Sequence, residues 1–249
     1  MKLRISAVCN IGCVRQNNED MVLIDKKLIR DDTIQGAIEF SEGCNLYIVA
    51  VADGMGGQNA GEYASQMVLE QLNEKIHALP SNLGEDILTS QISVICNDTH
   101  KLILSASKQD TSKTGMGTTL VALLLYNDKF FVINVGDSRL YRFRNGNLMQ
   151  LSQDHSLRNL SNNPDTPSNI IVNSFGGGNS FFIDFMPAGK KYLARDLFLL
   201  CSDGLSDMIC DDEIEEILSQ ENPELNLLEQ AKNNGGNDNI SYVIVDILS

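Results

Sequence analysis

The chain has 249 residues, of which 43% are hydrophobic and 21% are charged, a composition ordinary for a folded globular protein. Its formal net charge of −14 argues against a duplex nucleic acid or an anionic membrane as a partner, because both require a basic face. No window is apolar for the length of a membrane span, and the start MKLRISAVCNIG lacks the apolar stretch of a signal peptide.

Strand patterns dominate the hydrophobic periodicity. Alternating or continuous apolar runs predict strands near residues 3–9, 21–24, 46–52, 118–126, 129–136, 139–143, 148–151, 181–185, 196–201 and 240–247. Helical spacing predicts helices over 59–78, 85–107, 211–219 and 223–233. Turn residues at 126–129 and the Asn145-Gly146 pair predict two hairpins. Sequential strands with grouped helices indicate an α+β fold, not a doubly wound parallel sheet.

One segment, residues 156–180, has little periodicity and is rich in Asn, Ser, Pro and Gly. This composition predicts a surface loop or flap. No repeat, linker or long charge run interrupts the rest, so we expect residues 1–249 to form a single domain.

Three aspartates, Asp53, Asp203 and Asp238, each lie in a Gly- or Asn-rich turn beside an apolar run. Each one alone is most simply an Asp-Gly turn or a helix cap. Together they favour a metal site, because carboxylates at the edge of buried strands lose hydration and repel one another unless a cation compensates. Oxygen ligands of this kind are preferred by Mg²⁺ and Mn²⁺.

An arginine and an acidic pair occur close together near the N-terminus, in Arg15-Gln16-Asn17-Asn18-Glu19-Asp20. Such a group can be a surface ion pair of little energetic value. If it instead borders the metal centre, the planar guanidinium of Arg15 suits the oxygens of a phosphate.

The order of motifs along the chain resembles one family. VRQNNED, VADGMGG, GMGTTL, NVGDSRLYRF, QDHS, CSDGLSD and GGNDNISYVIV follow one another between about residues 5 and 247. This ordered set is similar to that of the metal-dependent Ser/Thr protein phosphatases called protein phosphatase 2C (PP2C or PPM), and the DGMGG form resembles the bacterial branch.

The resemblance implies a fold and a set of site residues. The fold would be a four-layer α-β-β-α sandwich, with two mainly antiparallel sheets flanked by helices and two Mg²⁺ or Mn²⁺ ions at one end. Asp53 would bridge both ions, Gly54 would offer its backbone carbonyl, and Asp203 and Asp238 would complete the ligands. Glu19 and Asp20 would reach the metals through water, and Arg15 would bind the phosphate.

The implied activity is the hydrolysis of phosphoserine and phosphothreonine in proteins by a water or hydroxide that bridges the two ions. In this scheme Arg15 and Asp53 act directly, and Asp20 orients a metal-bound water. The implied substrates are phosphoproteins of a cognate Ser/Thr kinase. The six cysteines lack CxxC spacing, so we expect reduced thiols in a cytoplasmic protein. We also expect a monomer.

Three departures from the family pattern qualify these expectations. Gln58 stands where the bacterial pattern usually has histidine, and the flap looks shorter than usual. Near the segment that carries a third-ion ligand in some relatives, the chain has Asp110, Ser112 and Thr114, so we expect no strong third site. Gln58 and the short flap also leave open a second hypothesis, a weak or inactive module that binds phosphoproteins as a regulator.

Overall fold

The computed structural model describes residues 1–39, 46–56, 60–161, 166, 170–177 and 181–249. Within these residues the strands are Lys2–Asn10 (β1), Met21–Ile24 (β2), Lys27–Ile29 (β3), Asp32–Glu39 (β4), Leu46–Ala52 (β5), Gly54–Met55 (β6), Gly117–Thr118 (β7), Leu120–Tyr126 (β8), Lys129–Val135 (β9), Arg139–Arg144 (β10), Asn147–Gln150 (β11), Asp184–Pro187 (β12), Leu197–Cys201 (β13) and Ile240–Ile247 (β14). The helices are Ala60–His77 (α1), Glu85–Gln109 (α2), Leu157–Ser161 (α3), Asp203–Ser206 (α4), Asp211–Leu218 (α5) and Pro223–Asn233 (α6).

The strands form two large antiparallel sheets. In the described residues the first sheet has the order β11-β10-β13-β14-β1-β4, and the second has the order β12-β9-β8-β5-β2-β3. A short ribbon of β6 and β7 joins the loop after β5 to the segment before β8. Because neighbouring strands run in opposite directions, the loops at each end of the sandwich come from several distant parts of the chain.

Alternation along the strands creates the layers. In β8, the side chain of Leu123 packs in the core between the two sheets, whereas Leu124 packs against the residues of α1 and α2. A third apolar cluster joins the other face of the first sheet to α4, α5 and α6. The result is the predicted four-layer α-β-β-α sandwich, and since both sheets share one core, we propose that residues 1–249 form a single domain.

Most elements predicted from periodicity are present. Both predicted hairpin turns have positive φ at their two central residues, Asn127 and Asp128 in one and Asn145 and Gly146 in the other, as a type I′ turn requires. Pro223 occupies the first turn of α6, as predicted. No helix in the described part of the chain is both long enough and apolar enough to span a bilayer.

The prediction of strands from the sequence was wrong at edge strands of both sheets. It missed β3 and β4, because β4 contains Asp, Gln and Gly in place of an apolar alternation and exists through its pairing with β1. It also placed a strand at 181–185, whereas β12 covers Asp184–Pro187. Proline is tolerated there because β12 is the edge strand of its sheet.

The core between the sheets provides a stability test. Leu123→Ala removes a side chain that is 2% exposed, and we expect it to lower the free energy of unfolding by about 2–5 kcal/mol through lost burial and a cavity. Denaturant unfolding measures the change. Leu225→Ala, at a position 51% exposed, is the control and should change stability by less than about 0.5 kcal/mol. Equal losses in the two variants would contradict the assigned core.

Candidate metal centre

The three turn aspartates lie at the same end of the sandwich. Asp53 follows the last residue of β5, and Asp203 opens α4 directly after β13. Asp238 precedes β14, which pairs antiparallel with β13 so that Tyr242 lies opposite Cys201. This register places the beginning of β14 beside the end of β13 and brings together carboxylates that are distant in sequence.

These carboxylates line one pocket of about 440 Å³. The pocket is also lined by Arg15, Asn17, Glu19, Gly54, Met55, Gly56, Ile171 and Asn239. The structure therefore brings together every predicted site residue except Asp20, which is buried and does not line the pocket. Ile171, contributed by the flap, was not predicted; no charge or motif marks it in the sequence.

Asp20 lies buried beneath the pocket. The hydroxyl of Ser202 donates a hydrogen bond to its Oδ2 at 2.9 Å, which links the N-terminal segment to the residue just before Asp203. Burial, followed by the negative charges of Asp203 and Asp238, raises the pKa of Asp20. Its place beneath the pocket suits the predicted indirect role better than direct contact with a substrate.

The backbone of the Glu19–Asp20 segment is clamped onto α1. Arg30 donates from Nε to the carbonyl of Asp20 at 3.0 Å, and from its two other nitrogens to Glu62 Oε1 at 2.7 Å and to the carbonyl of Glu62 at 2.9 Å. Ser65 Oγ donates to the carbonyl of Glu19 at 2.6 Å. These bonds fix the position of the Glu19–Asp20 backbone relative to α1.

Arg15 is the cationic group of the pocket lining. Its Nη2 lies 2.6 Å from Asp238 Oδ2, and both side chains remain partly exposed. That hydrogen bond raises the pKa of Arg15, so the guanidinium stays charged. An exposed pair of this kind is weak, so the remaining N–H groups of Arg15 are available to an anion that enters the pocket.

The carboxylates carry an electrostatic strain. Burial raises the pKa of Asp53 and of Asp203, and the charge of Asp20 adds to the effect on Asp53. Within the described residues, the buried Oδ1 of Asp203 has no hydrogen-bond partner. A buried anionic oxygen without a donor is costly, and a divalent cation removes this cost along with the repulsion between carboxylates.

The donor set fits such a cation. Its atoms are carboxylate oxygens and a backbone carbonyl, the ligands that Mg²⁺ and Mn²⁺ prefer. No group of three or more His, Cys, Asp or Glu among the described residues could by itself hold a metal ion, so an ion here would complete its coordination with water. An open set is compatible with Mg²⁺, which usually retains several waters.

At Gly54 a Cβ would lie 2.3 Å from the carbonyl of Gly61, so only glycine allows this close contact.

Two further acidic residues were not predicted as site residues. Asp137, which the sequence analysis treated only as part of a motif, has a buried Oδ1 without a partner in the described part of the chain. Burial and then the charge of Asp203 raise its pKa to about 7. Asp207 follows Asp203 by four residues, and its backbone N–H donates to the carbonyl of Asp203 at 2.7 Å. The spacing of four residues between Asp203 and Asp207 is the sequence signal from which Asp207 could have been predicted.

The residues around Asp110 are not part of this centre. Asp110 is a surface residue after α2 that accepts hydrogen bonds from Ser112 and pairs with Lys113 at 3.5 Å. Gln58, the departure from the family pattern, lies outside the described residues.

The flap is anchored by two histidines. His155 Nδ1 accepts from the backbone N–H of Gly136 at 3.1 Å and lies 2.8 Å from Asn173 Nδ2. His100, on α2, accepts from the N–H of Gly176 at 3.2 Å and stacks on Phe181 with ring centroids 4.2 Å apart. Both nitrogens act as acceptors only when they carry no proton.

The fold and this pocket define a protein that holds buried carboxylates beside an arginine, an arrangement suited to metal-assisted phosphoester chemistry. The family model described as Protein phosphatase 2C matches residues 23–235. The chain therefore belongs to the protein phosphatase 2C family.

Individual relatives agree with this assignment. The chain is 31% identical over 252 residues to a serine/threonine phosphatase, Stp, of Listeria monocytogenes, covering 94% of this chain and 92% of that protein. The solved serine/threonine phosphatase of S. agalactiae is similar with a TM-score of 0.82 and 27% identity, covering 98% of this chain and 99% of that one. The catalytic domain of the serine/threonine protein phosphatase PstP, solved with two manganese ions, is similar with a TM-score of 0.77 and 31% identity over the full length of both chains.

The Arg30 clamp generates a stability prediction. Arg30→Met keeps the aliphatic stem but removes the hydrogen bonds to Asp20 and Glu62, and we expect a loss of about 1–3 kcal/mol in the free energy of unfolding. Arg4→Met, which removes an exposed ion pair to Asp246, is the matched control and should cost at most about 1 kcal/mol. Urea denaturation in chelator measures both variants. A smaller loss for Arg30→Met than for Arg4→Met would refute the clamp.

His100 generates a pH prediction. Its burial lowers the pKa below the ordinary 6.5, so as the pH falls through 6.5 the unfolded chain takes up a proton before the folded chain does. This residue therefore makes the protein progressively less stable as the pH falls from 6.5 to its lower folded-state pKa. The loss persists at lower pH, and stability above pH 6.5 is unaffected.

His100→Phe keeps a ring that can stack on Phe181 but cannot be protonated. Between about pH 7.5 and about pH 5, we expect the free energy of unfolding to fall less in this variant than in the wild type. Denaturant unfolding across this range measures the difference. An equal or steeper fall in the variant would contradict the assignment of this pH dependence to His100.

Proposed function

We propose that this protein is a metal-dependent protein phosphatase that hydrolyses phosphoserine and phosphothreonine residues. The observation that carries the proposal is the presence of Arg15 and the carboxylates of Asp53, Asp203 and Asp238 in one pocket. The relatives are named serine/threonine phosphatases, and one was solved with two manganese ions, which supports a two-ion centre that takes Mn²⁺ or Mg²⁺ here.

The residues that would hold the ions are Asp53, Asp203 and Asp238 with the backbone carbonyl of Gly54, and Glu19 and Asp20 would contribute through water. When bound, the ions supply an activated water and neutralise charge on the phosphate. Asp137 and Asp207 add negative charge next to Asp203, which increases the attraction of this end of the sandwich for cations.

Arg15 would bind the phosphate group of the substrate. Its planar fork of N–H donors matches two phosphoryl oxygens, and its partly exposed position at the pocket lets it release Asp238 when an anion arrives. The phosphoryl charge is spread over these oxygens in the transition state, so a guanidinium bound to two of them stabilises that state electrostatically. No protein nucleophile is required, and Cys201, which precedes the acidic turn, is fully buried in the third core cluster.

The flap contributes to the entrance of the acidic pocket. Ile171 places an apolar side chain in the wall of an otherwise polar pocket, beside Met55. These two side chains would contact the residues that flank the phosphorylated side chain. We propose that the substrates are phosphoproteins of a cognate Ser/Thr kinase and that the enzyme acts as a cytoplasmic monomer.

The alternative of a non-catalytic regulator is not favoured by any contact in the described residues. It rested on Gln58 and on the length of the flap, whereas the carboxylates and Arg15 that catalysis requires are together in the pocket.

Activity with a phosphothreonine peptide and Mn²⁺ tests the proposal. Asp53→Asn removes one charge from the centre, and we expect kcat/KM to fall at least about a hundredfold, with chelator abolishing activity in the wild type. Asp98→Asn, at an exposed position on α2, is the matched control and should keep wild-type activity.

The loss should come from chemistry and not from unfolding. Because Asp53 is repelled by Asp20 and Asp203, we expect Asp53→Asn to be at least as stable as the wild type in chelator. Activity that survives both the substitution and chelator would refute the metal-dependent mechanism.

A further inference from the structure

A second pocket lies at the opposite end of the sandwich. Arg142 and Arg144 of β10 and Phe130 near the start of β9 contribute to its lining. β10 begins at Arg139, which pairs with Cys201 near the acidic pocket. At roughly 3.4 Å per residue, Arg142 and Arg144 lie about 10 Å and about 17 Å further along the strand. The two pockets share no lining residue.

The second pocket is basic although the protein is strongly acidic. Of the 19 lysines and arginines in the chain, five line this pocket, namely Lys129, Arg142, Arg144, Lys190 and Lys191. Two of them are neutralised, since Lys129 forms an ion pair with Glu85 and Arg144 forms one with Asp196.

The other three cations have no carboxylate partner among the residues that the structure describes. Within the described part of the chain, no ion pair forms at Arg142, Lys190 or Lys191, and the pocket lining contains one acid, Asp128. A net positive concavity in a protein of net charge −14 is expected to concentrate anions locally.

Arg142 has no strong hydrogen-bond acceptor in the described part of the chain. Its Nε is buried and has no hydrogen-bond partner among the described residues, and its Nη2 has only the thioether of Met149 at 3.6 Å. The loop after β12 closes against this guanidinium through Gly189, whose φ of +148° is rare for other residues and whose Cβ would lie 3.2 Å from Nη1. An anionic oxygen bound here would satisfy donors that the protein leaves open.

The floor of the pocket is aromatic. The rings of Phe130 and Tyr192 meet edge to face with centroids 5.2 Å apart, and Phe130 and Phe198 are 5.4 Å apart. Phe130 and Phe198 belong to the core between the sheets, whereas Tyr192 is only partly packed against it. The cavity of about 400 Å³ falls within the range of small-molecule sites.

We propose that this basic pocket binds a small molecule with a planar ring and a phosphate group, the chemistry of a nucleotide. The ring packs against Tyr192, which Phe130 supports from below, and the phosphate accepts hydrogen bonds from Arg142 and forms ion pairs with Lys190 and Lys191. A pocket with cations but no aromatic wall would bind inorganic phosphate as well as it binds a nucleotide. A pocket with an aromatic wall but no cations would favour a neutral compound. The combination selects a ligand with both parts.

Calorimetric titration with AMP tests the proposal. The measurement uses the full chain in chelator, so that the acidic centre holds no divalent ion, and the readout is binding and not phosphatase activity. We expect AMP to bind more tightly than adenosine and more tightly than inorganic phosphate.

A matched pair of double variants locates the site. Lys190→Gln/Lys191→Gln removes two exposed charges from the pocket and should raise the Kd for AMP about tenfold. Lys26→Gln/Lys27→Gln makes the same charge change at exposed residues of the β2–β3 hairpin and should alter the Kd by less than about twofold. Both variants should keep wild-type activity on a phosphothreonine peptide with Mn²⁺.

Three results would overturn the proposal. They are the absence of AMP binding at millimolar concentration, equal affinity for AMP and inorganic phosphate, and equal losses in the two double variants. None of these bears on the acidic centre, so the failure of this proposal is distinct from the failure of the proposed phosphatase activity.

Discussion

Repulsion between buried carboxylates is the constraint on which the rest of this structure depends. Asp20, Asp53 and Asp203 lose hydration at one end of the sandwich, which raises the pKa of all three, and the charge of Asp203 adds to this rise for Asp20 and Asp53. Groups that repel one another do not assemble unaided, so the scaffold must hold them. The apolar core between the sheets supplies that free energy, and the cation that relieves the repulsion is the group that the chemistry requires.

The scaffold holds the centre through backbone contacts more than through the acidic side chains. Arg30 and Ser65 fasten the carbonyls of Asp20 and Glu19 to α1, and Asn239 accepts the N–H of Glu19 at 2.9 Å. Fixed backbones leave the carboxylate oxygens free to face a cation. One oxygen of Asp203 is accordingly buried without a partner in the described residues, a strain that the metal-dependent function explains.

The two pockets, at opposite ends of the sandwich, have opposite electrostatic character. The acidic end would attract divalent cations, with Arg15 positioned for the phosphate of a substrate, whereas the far end collects cations around an aromatic floor. Strand β10 of the first sheet runs from Arg139, near the acidic centre, to Arg142 and Arg144, and strand β9 of the second sheet ends at Val135, two residues before Asp137.

The sequence by itself determined the apolar strands, the main helices, the type I′ hairpins and the family, because alternation, helical spacing and ordered motifs are local properties. It also predicted the pocket-lining residues Asp53, Asp203 and Asp238 from their turns, and Arg15 from the acidic pair that follows it. Only the tertiary structure decided that β4 exists, that Asp20 lies beneath the pocket, that Ile171 lines it and that the Nε of Arg142 has no hydrogen-bond partner among the described residues. Such features depend on which distant strands become neighbours, and sheet register, unlike local periodicity, is set by the packing of the whole core.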